Sequence, residues 1–313
     1  MKDLHIDFVR DDDFEEFFHN LARDLLSIYF KEKPIGFVDI GARGSVCPYF
    51  DCISSVLDVL AIEPCEASIE QLKNLDQGLY YDVTYDNSVV WKHIGHINFH
   101  HCNVSTNNSI YPVNEALLEK YHLQKFAQSE TIQRDCTTLD DIVLNKYKYK
   151  PFGEIIKIDT QGSEYEILAG AAELLSQRTV GIISEVSFLE IYQGQRLFSD
   201  VESLLRKFDF QFFGFLNTSH RSSGTINYQD QYTKERIFQA DAIFIKKEFG
   251  NRQDRRNSII MYMFSIICGY FDHAQTLLNS VSDLDENIKT SVDRMLQELA
   301  SKLHSKFSTA QYI

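Results

Sequence analysis

Basic residues are few in this chain, and the marks of secreted or membrane proteins are missing. Its 313 residues carry 31 Lys and Arg against 45 Asp and Glu, a formal net charge of −14. Nucleic-acid binders draw much of their affinity from phosphate neutralisation by Lys and Arg, so this balance argues against DNA or RNA as a partner. The nearest basic group, Arg252 with Arg255 and Arg256, reads as the solvated start of a helix. The six cysteines (Cys47, Cys52, Cys65, Cys102, Cys136 and Cys268) show no C-x-x-C spacing. They read as small buried hydrophobes in a reducing compartment, not as a disulfide or zinc framework. No apolar core of a signal peptide follows Met1. The longest apolar run, Ile259 to Phe271, covers 13 residues and is interrupted by Ser265 and Gly269, whereas a membrane helix needs about 20. A cytoplasmic protein without a membrane span is expected. There is no internal repeat and no low-complexity tract.

What is present is ordinary globular composition, 44% hydrophobic and 24% charged, enough for one large α/β domain and a small appendage. Apolar spacing of three and four predicts an amphipathic helix over residues 12–30, stopped by Pro34 and Gly36. Ile35–Ile40 and Val56–Glu63 are short apolar runs that suit buried strands, with a loop and a helix between them. Further strands are predicted at Tyr80–Tyr85, Glu154–Asp159, Thr179–Val186, Phe210–Leu216 and Ala240–Lys246. Ser88–Trp91 and His96–His101 flank Gly95 as a hairpin. Helices are predicted at Glu164–Gln177 and Phe198–Lys207, and residues 217–236 read as a polar surface loop. Strands alternating with helices predict a parallel sheet. After Phe249 only helices are predicted, at 252–268, 270–281 and 284–305. This divides the chain into an N-terminal helical segment (1–34), a central α/β domain (35–249) and a C-terminal helical appendage (250–313), a small bundle or docking module.

The chemistry concentrates at strand ends. In Val38-Asp39-Ile40-Gly41-Ala42-Arg43-Gly44-Ser45 an apolar strand meets an acid and then a Gly-x-x-Gly turn. Glycine lets a ligand approach the backbone closely, and in a doubly wound sheet ligands bind at the carboxyl ends of the strands. The spacing is not the G-x-G-x-x-G of dinucleotide binders, which disfavours NAD. Glu63, 24 positions after Asp39, ends the next strand. A carboxylate there can accept ribose hydroxyls through charge-assisted bonds worth about 1.5–3 kcal/mol each. Taken alone, a solvated strand-end glutamate reads equally well. A third apolar strand ends at Asp159 in Ile156-Lys157-Ile158-Asp159-Thr160-Gln161-Gly162-Ser163-Glu164.

That last string resembles the K-I-D-x-x-G-x-E signature of the FkbM family of methyltransferases. Asp39–Ser45 resembles the family's D-x-G-A turn and Ile62-Glu63-Pro64 its acid-Pro pair. Tyr85–Trp91, Asn108–Tyr111, Cys136–Asp140, Glu185–Gln195 and Ala240–Phe244 resemble further family segments in the same order. The similarity spans residues 35 to 246. Asn108 and Ser88 depart from the family pattern, and neither departure falls on a charged site residue.

The resemblance implies a Rossmann-like class I methyltransferase fold: a mostly parallel sheet of seven strands, the last antiparallel, binding one S-adenosylmethionine. Gly41, Ala42 and Gly44 would face the methionine portion, Glu63 the ribose, and Asn87 with Ser88 the adenine. Asp39 would orient the turn. Arg43 would pair either with the cofactor carboxylate or with a surface acid. The acceptor implied is a sugar or glycan hydroxyl, a poor nucleophile until a base or metal assists it. Asp159 and Glu185 end neighbouring strands and are the candidates, either as base and orienting partner or as ligands for Mg²⁺. Tyr192 and Gln195 are candidate substrate contacts. His93, His96, His100 and His101 read as exposed hairpin residues without metal-ligand spacing. Two other readings stand beside the enzyme: a non-catalytic binding module of the same fold, and a methyltransferase acting on a non-sugar small molecule.

Overall fold

Every residue of Ile35–Ile40 (β1) and Leu57–Ile62 (β2) is buried, as strands covered on both faces must be. The computed structural model describes residues 14, 16–18, 29–75, 78–223, 234–247, 255–280 and 286–307. A nine-residue 3₁₀ helix, Pro48–Val56, joins β1 to β2. The chain continues through Glu66–Leu75 (α1), Asp82–Asp86 (β3), Val89–Val90 (β4), Gly95–Cys102 (β5), Glu115–Tyr121 (α2) and Gln128–Thr137 (β6). Then come Ile155–Ile158 (β7), Glu164–Ala169 (α3), Ala172–Gln177 (α4), Gly181–Ser187 (β8), Phe198–Arg206 (α5), Phe210–Arg221 (β9) and Arg236–Lys246 (β10). Arg255–Ile267 (α6), Phe271–Ser280 (α7) and Glu286–Phe307 (α8) close the described chain.

Seven strands form one sheet in the order β3-β2-β1-β7-β8-β10-β9. β3, β2, β1, β7 and β8 run parallel, and β10 is antiparallel to both of its neighbours. This is the mostly parallel seven-stranded α/β sheet with an antiparallel last strand that the family resemblance implies. Side chains alternate between two cores. Phe37, Val59, Ile155, Ile183 and Ile243 pack on one face with the 3₁₀ helix and the C-terminal helices. Val38, Leu60, Ile156, Ile182 and Phe244 pack on the other with α3, α4 and α5.

Four expectations need correction. The hairpin around Gly95 does not form: β6 lies between β4 and β5 in a separate three-stranded sheet, parallel to β4 and antiparallel to β5. β6 escapes a reading based on apolar runs because most of its side chains are exposed and polar. The helix expected over Glu164–Gln177 breaks between α3 and α4, where a Cβ on Gly170 would stand 2.6 Å from the Trp91 carbonyl oxygen. The polar stretch after Leu216 continues β9 to Arg221, its backbone paired to β10 and Asn217 bonded to Asp241; residues 224–233 of the expected loop lie outside the described residues.

The fourth concerns the C-terminal helices. Residues Ser258 to Ile267 of α6 are all buried, in the same core as β1, β2 and β8. Phe264 stacks on Phe50 and sits where a Cβ on Gly181 would be 2.8 Å from its ring. Arg256 forks onto both oxygens of the buried Glu154, at 2.6 and 2.8 Å. α6 is therefore a covering layer of the sheet rather than an appendage. Of the N-terminal helix expected over 12–30, residues 14, 16–18, 29 and 30 are described; 14, 16–18 and 29 are helical, with Phe14, Phe17, Phe18 and Phe30 in the same core.

Candidate functional site

At the end of β1 the chain turns sharply. Gly41 has φ +83°, and a Cβ there would lie 2.0 Å from the carbonyl oxygen of Asp159, so β1 and the end of β7 meet backbone to backbone. Gly44 faces open space, with nothing within 4 Å of its virtual Cβ. Ala42 is buried. The buried Asp39 accepts a hydrogen bond from the Cys47 amide at 2.8 Å, closing the loop. Arg43 donates to the backbone oxygen and, at 2.7 Å, to the hydroxyl of Ser105, so its guanidinium bridges to the segment after β5 rather than to a surface acid.

The turn opens on a cavity of about 850 Å³. Its floor is formed by strand ends and its roof by the small sheet, with Phe99 and His101 from β5 and Ile132 and Arg134 from β6. Glu63, at the end of β2, is 6% exposed and lines the cavity. One of its oxygens accepts from the Cys65 amide at 2.9 Å, and the other has no hydrogen-bond donor among the described residues. Burial pushes its pKa up, opposed by the Cys65 amide and the Arg43 guanidinium. Ser88 also lines the cavity, its amide held by Asp86. Asn87 is exposed and is not part of the lining.

Across β7, β8 and β10 the acids form a row on one face of the sheet. Asp39 is in register with Lys157, and Asp241 with Glu185. Lys157 and Asp159 are two residues apart and so share that face. The Lys157 ammonium lies 3.5 Å from Asp159. Burial opposes the Lys157 charge, but Asp159, Asp39, Cys47 and Asp241 outweigh it and raise the pKa. Glu185 is pushed well above the carboxylate range by burial, then by Asp159, Glu164 and Asp241. Burial also raises Asp241, against the pull of Lys157 and of its bonds from Asn217 and Tyr49. Glu164 is pushed up to about 7 by burial, with Asp159 adding to the rise.

Asp159, Glu164 and Glu185 bring one carboxylate oxygen each within 4.8 Å of one another. Their existing partners decide what that cluster can do. Glu164 accepts from the Thr160 amide (2.8 Å), the Thr160 hydroxyl (3.1 Å) and the Gly162 amide (3.1 Å), and so ties down the turn after β7. The Gln161 amide nitrogen lies between the other two, 2.9 Å from Asp159 and 3.3 Å from Glu185. Of the two alternatives for Asp159 and Glu185, ligation of Mg²⁺ does not fit these residues as they stand.

Tyr192 and Gln195, expected as substrate contacts, point into the protein. Tyr192 is fully buried, donates to the Asn107 carbonyl at 3.0 Å and lies 3.2 Å from the Gln161 side-chain oxygen. Gln195 spends its amide on Ser187 and on the Ile191 and Tyr192 backbone. Among the histidines, His100 is buried against Thr131, and burial lowers its pKa. His101 lines the cavity roof. Lys157, Gln161, Tyr49 and Asp241 line the cavity without having been assigned a role from sequence. Lys157 was within reach: two residues before a strand-end acid, it must share that acid's face.

The Methyltransferase FkbM domain family matches residues 39–212. The chain belongs to this family. Among solved structures, a methyltransferase FkbM from Methylobacillus flagellatus KT is 16% identical, with a TM-score of 0.38 over 74% of this chain and 50% of that one. This chain thus spans half the length of that relative. Magnesium protoporphyrin IX methyltransferase from Synechocystis PCC 6803, solved with bound SAM, is 10% identical, with a TM-score of 0.34 over 75% of this chain and 80% of that one. No curated protein matches. No helix of the described residues is long and apolar enough to cross a membrane.

Proposed function

We propose that this protein transfers a methyl group from S-adenosylmethionine to a hydroxyl oxygen of a sugar-like acceptor. The observation that carries the reading is the convergence of three strand ends on one cavity: the Gly41 turn, Glu63 and Asp159. Family membership supports methyl transfer as the chemistry. When bound, the cofactor supplies an electrophilic methyl group. The residues suit it: a turn whose Gly41 and Arg43 line the cavity, and a buried Glu63 carboxylate with one oxygen that no donor among the described residues meets. Glu63 would accept the ribose hydroxyls, Ser88 would contact the adenine, and the Gly41–Gly44 backbone would take the methionine end. Asp39 holds that turn through Cys47, and Arg43 fixes its far side to Ser105.

The acceptor end is the part of the cavity lined by Tyr49, Asp159 and Asp241. Polar groups converging there support a polyhydroxylated acceptor. Asp159 would take the hydroxyl proton as methyl transfer proceeds. Glu185, whose charge is disfavoured by burial and by its acidic neighbours, would orient it. The net charge of −14 supports a non-nucleic-acid acceptor, and six free cysteines support a reducing, cytoplasmic setting. The test is incubation with S-adenosylmethionine and a mixture of glycosides and non-sugar metabolites, read by mass spectrometry. An added methyl on a sugar oxygen is expected. Methylation confined to non-sugar compounds would contradict the acceptor reading while leaving the cofactor reading intact.

A further inference from the structure

The acidic row beneath the cavity poses a physical problem. Asp159 and Glu185 approach each other in a half-buried place, where two carboxylates repel unless a proton, a cation or a hydrogen-bond donor relieves them; Lys157 lies 3.5 Å from Asp159, and burial with its acidic neighbours favours the protonated form of Glu185. Proteins commonly meet this need with a divalent cation held by oxygen ligands. Here the space holds the side-chain amide of Gln161, which donates to Asp159 at 2.9 Å and to Glu185 at 3.3 Å. The amide oxygen faces the Tyr192 hydroxyl at 3.2 Å, which shares its one proton between this oxygen and the Asn107 carbonyl, and the flipped amide would set a carbonyl against Asp159 and Glu185. An amide coordinates hard cations through oxygen, and that oxygen is turned away toward Tyr192.

The backbone holds the amide in this place. Gln161 adopts a left-handed conformation, φ +58°, unusual for a residue other than glycine and upheld only where the surroundings demand it. Its carbonyl accepts from the Ser109 hydroxyl at 2.7 Å, and the turn on either side hangs from the buried Glu164. Glu164 would have to give up those bonds to serve as a metal ligand. A Cβ on the following Gly162 would strike the Tyr192 ring at 2.9 Å, so the turn is wedged against the same tyrosine that anchors the amide.

We propose that Gln161 is a positioning residue whose side-chain amide stands in for a bridging cation, so that Asp159 and Glu185 are paired without metal. Its part in methyl transfer rests on the functional reading above, but the geometry and its test do not require that reading. The consequence is specific. The neighbouring carboxylates already have the spacing of a metal site, and replacing the amide by a third negative group should turn the cluster into one.

Mn²⁺ titration followed by electron paramagnetic resonance tests this directly, with S-adenosylhomocysteine calorimetry on the same samples as a separate measure of the cofactor reading. The wild-type chain is expected to show no saturable Mn²⁺ site. Gln161→Glu is expected to gain one, at least about tenfold tighter than any wild-type binding, and to lose it again when Glu185→Gln is added. Circular dichroism checks folding; should Gln161→Glu not fold, Gln161→Asp, which also adds a third carboxylate at this position, takes its place with the same expectation. A saturable wild-type site abolished by Glu185→Gln would overturn the proposal. So would a folded Gln161 variant that binds no Mn²⁺, or one whose site survives Glu185→Gln. Loss of S-adenosylhomocysteine binding alone would count against the cofactor reading and leave this inference standing.

Discussion

Two residues carry opposite kinds of constraint. Gly41 is constrained by space: its φ of +83° and the Asp159 carbonyl 2.0 Å from its virtual Cβ leave no room for a side chain. Gly41→Ala should destabilise the fold by about 1–3 kcal/mol or more, because backbone must move at the junction of β1 and β7. Denaturant unfolding measures this, and a midpoint unchanged from wild type would show that the turn gives way easily. Asp159 is constrained by charge. Asp159→Asn keeps its shape and removes the negative charge, so turnover should fall by about 10²–10⁴ with cofactor affinity retained. Normal turnover would move the base elsewhere in the cavity. Both residues were legible in the sequence, since a strand-end acid and a glycine turn announce themselves locally. Tyr192 and Gln195 were not legible in the same way: being polar and close to Glu185 in sequence, they resembled contacts, yet every polar atom they own is used inside. Partner satisfaction is a three-dimensional property that no spacing reveals.

At the scale of elements, the buried strands are the easiest to read because β1, β2 and β7 are mostly apolar and almost wholly buried. β6 and the far half of β9 were missed for the converse reason. Their pairing is made by backbone, while their side chains are polar and exposed or only half-buried. The missed β6 also cost the cavity its roof, which β5 and β6 build together. The sequence marks α6 as a helix but not as a layer of the sheet. Its apolar character runs around the whole helix from Ser258 to Ile267, the pattern of a helix buried on all sides. Deleting residues 255–313 is therefore expected to leave a chain without cooperative structure by circular dichroism and thermal melting, since it strips one face of the sheet. A folded deletion product that still binds cofactor would restore the boundary at 250. A milder version of the same test is Arg256→Ala, which strands the buried Glu154 carboxylate and should cost about 3–5 kcal/mol.

In the whole molecule, the strand order 3-2-1-7-8-10-9 brings the ends of β1, β2 and β7 to a single cavity under a small second sheet. For that cavity as the S-adenosylmethionine site, Glu63 is the most exacting residue, since it is buried at the end of β2 and one of its oxygens meets no donor among the described residues. Calorimetric titration of the full chain with S-adenosylhomocysteine tests this most directly. The account predicts a single site, weakened about tenfold or more in Glu63→Ala through the loss of one or two charge-assisted hydrogen bonds. No binding to the wild-type chain, or equal affinity in a folded Glu63→Ala, would contradict it.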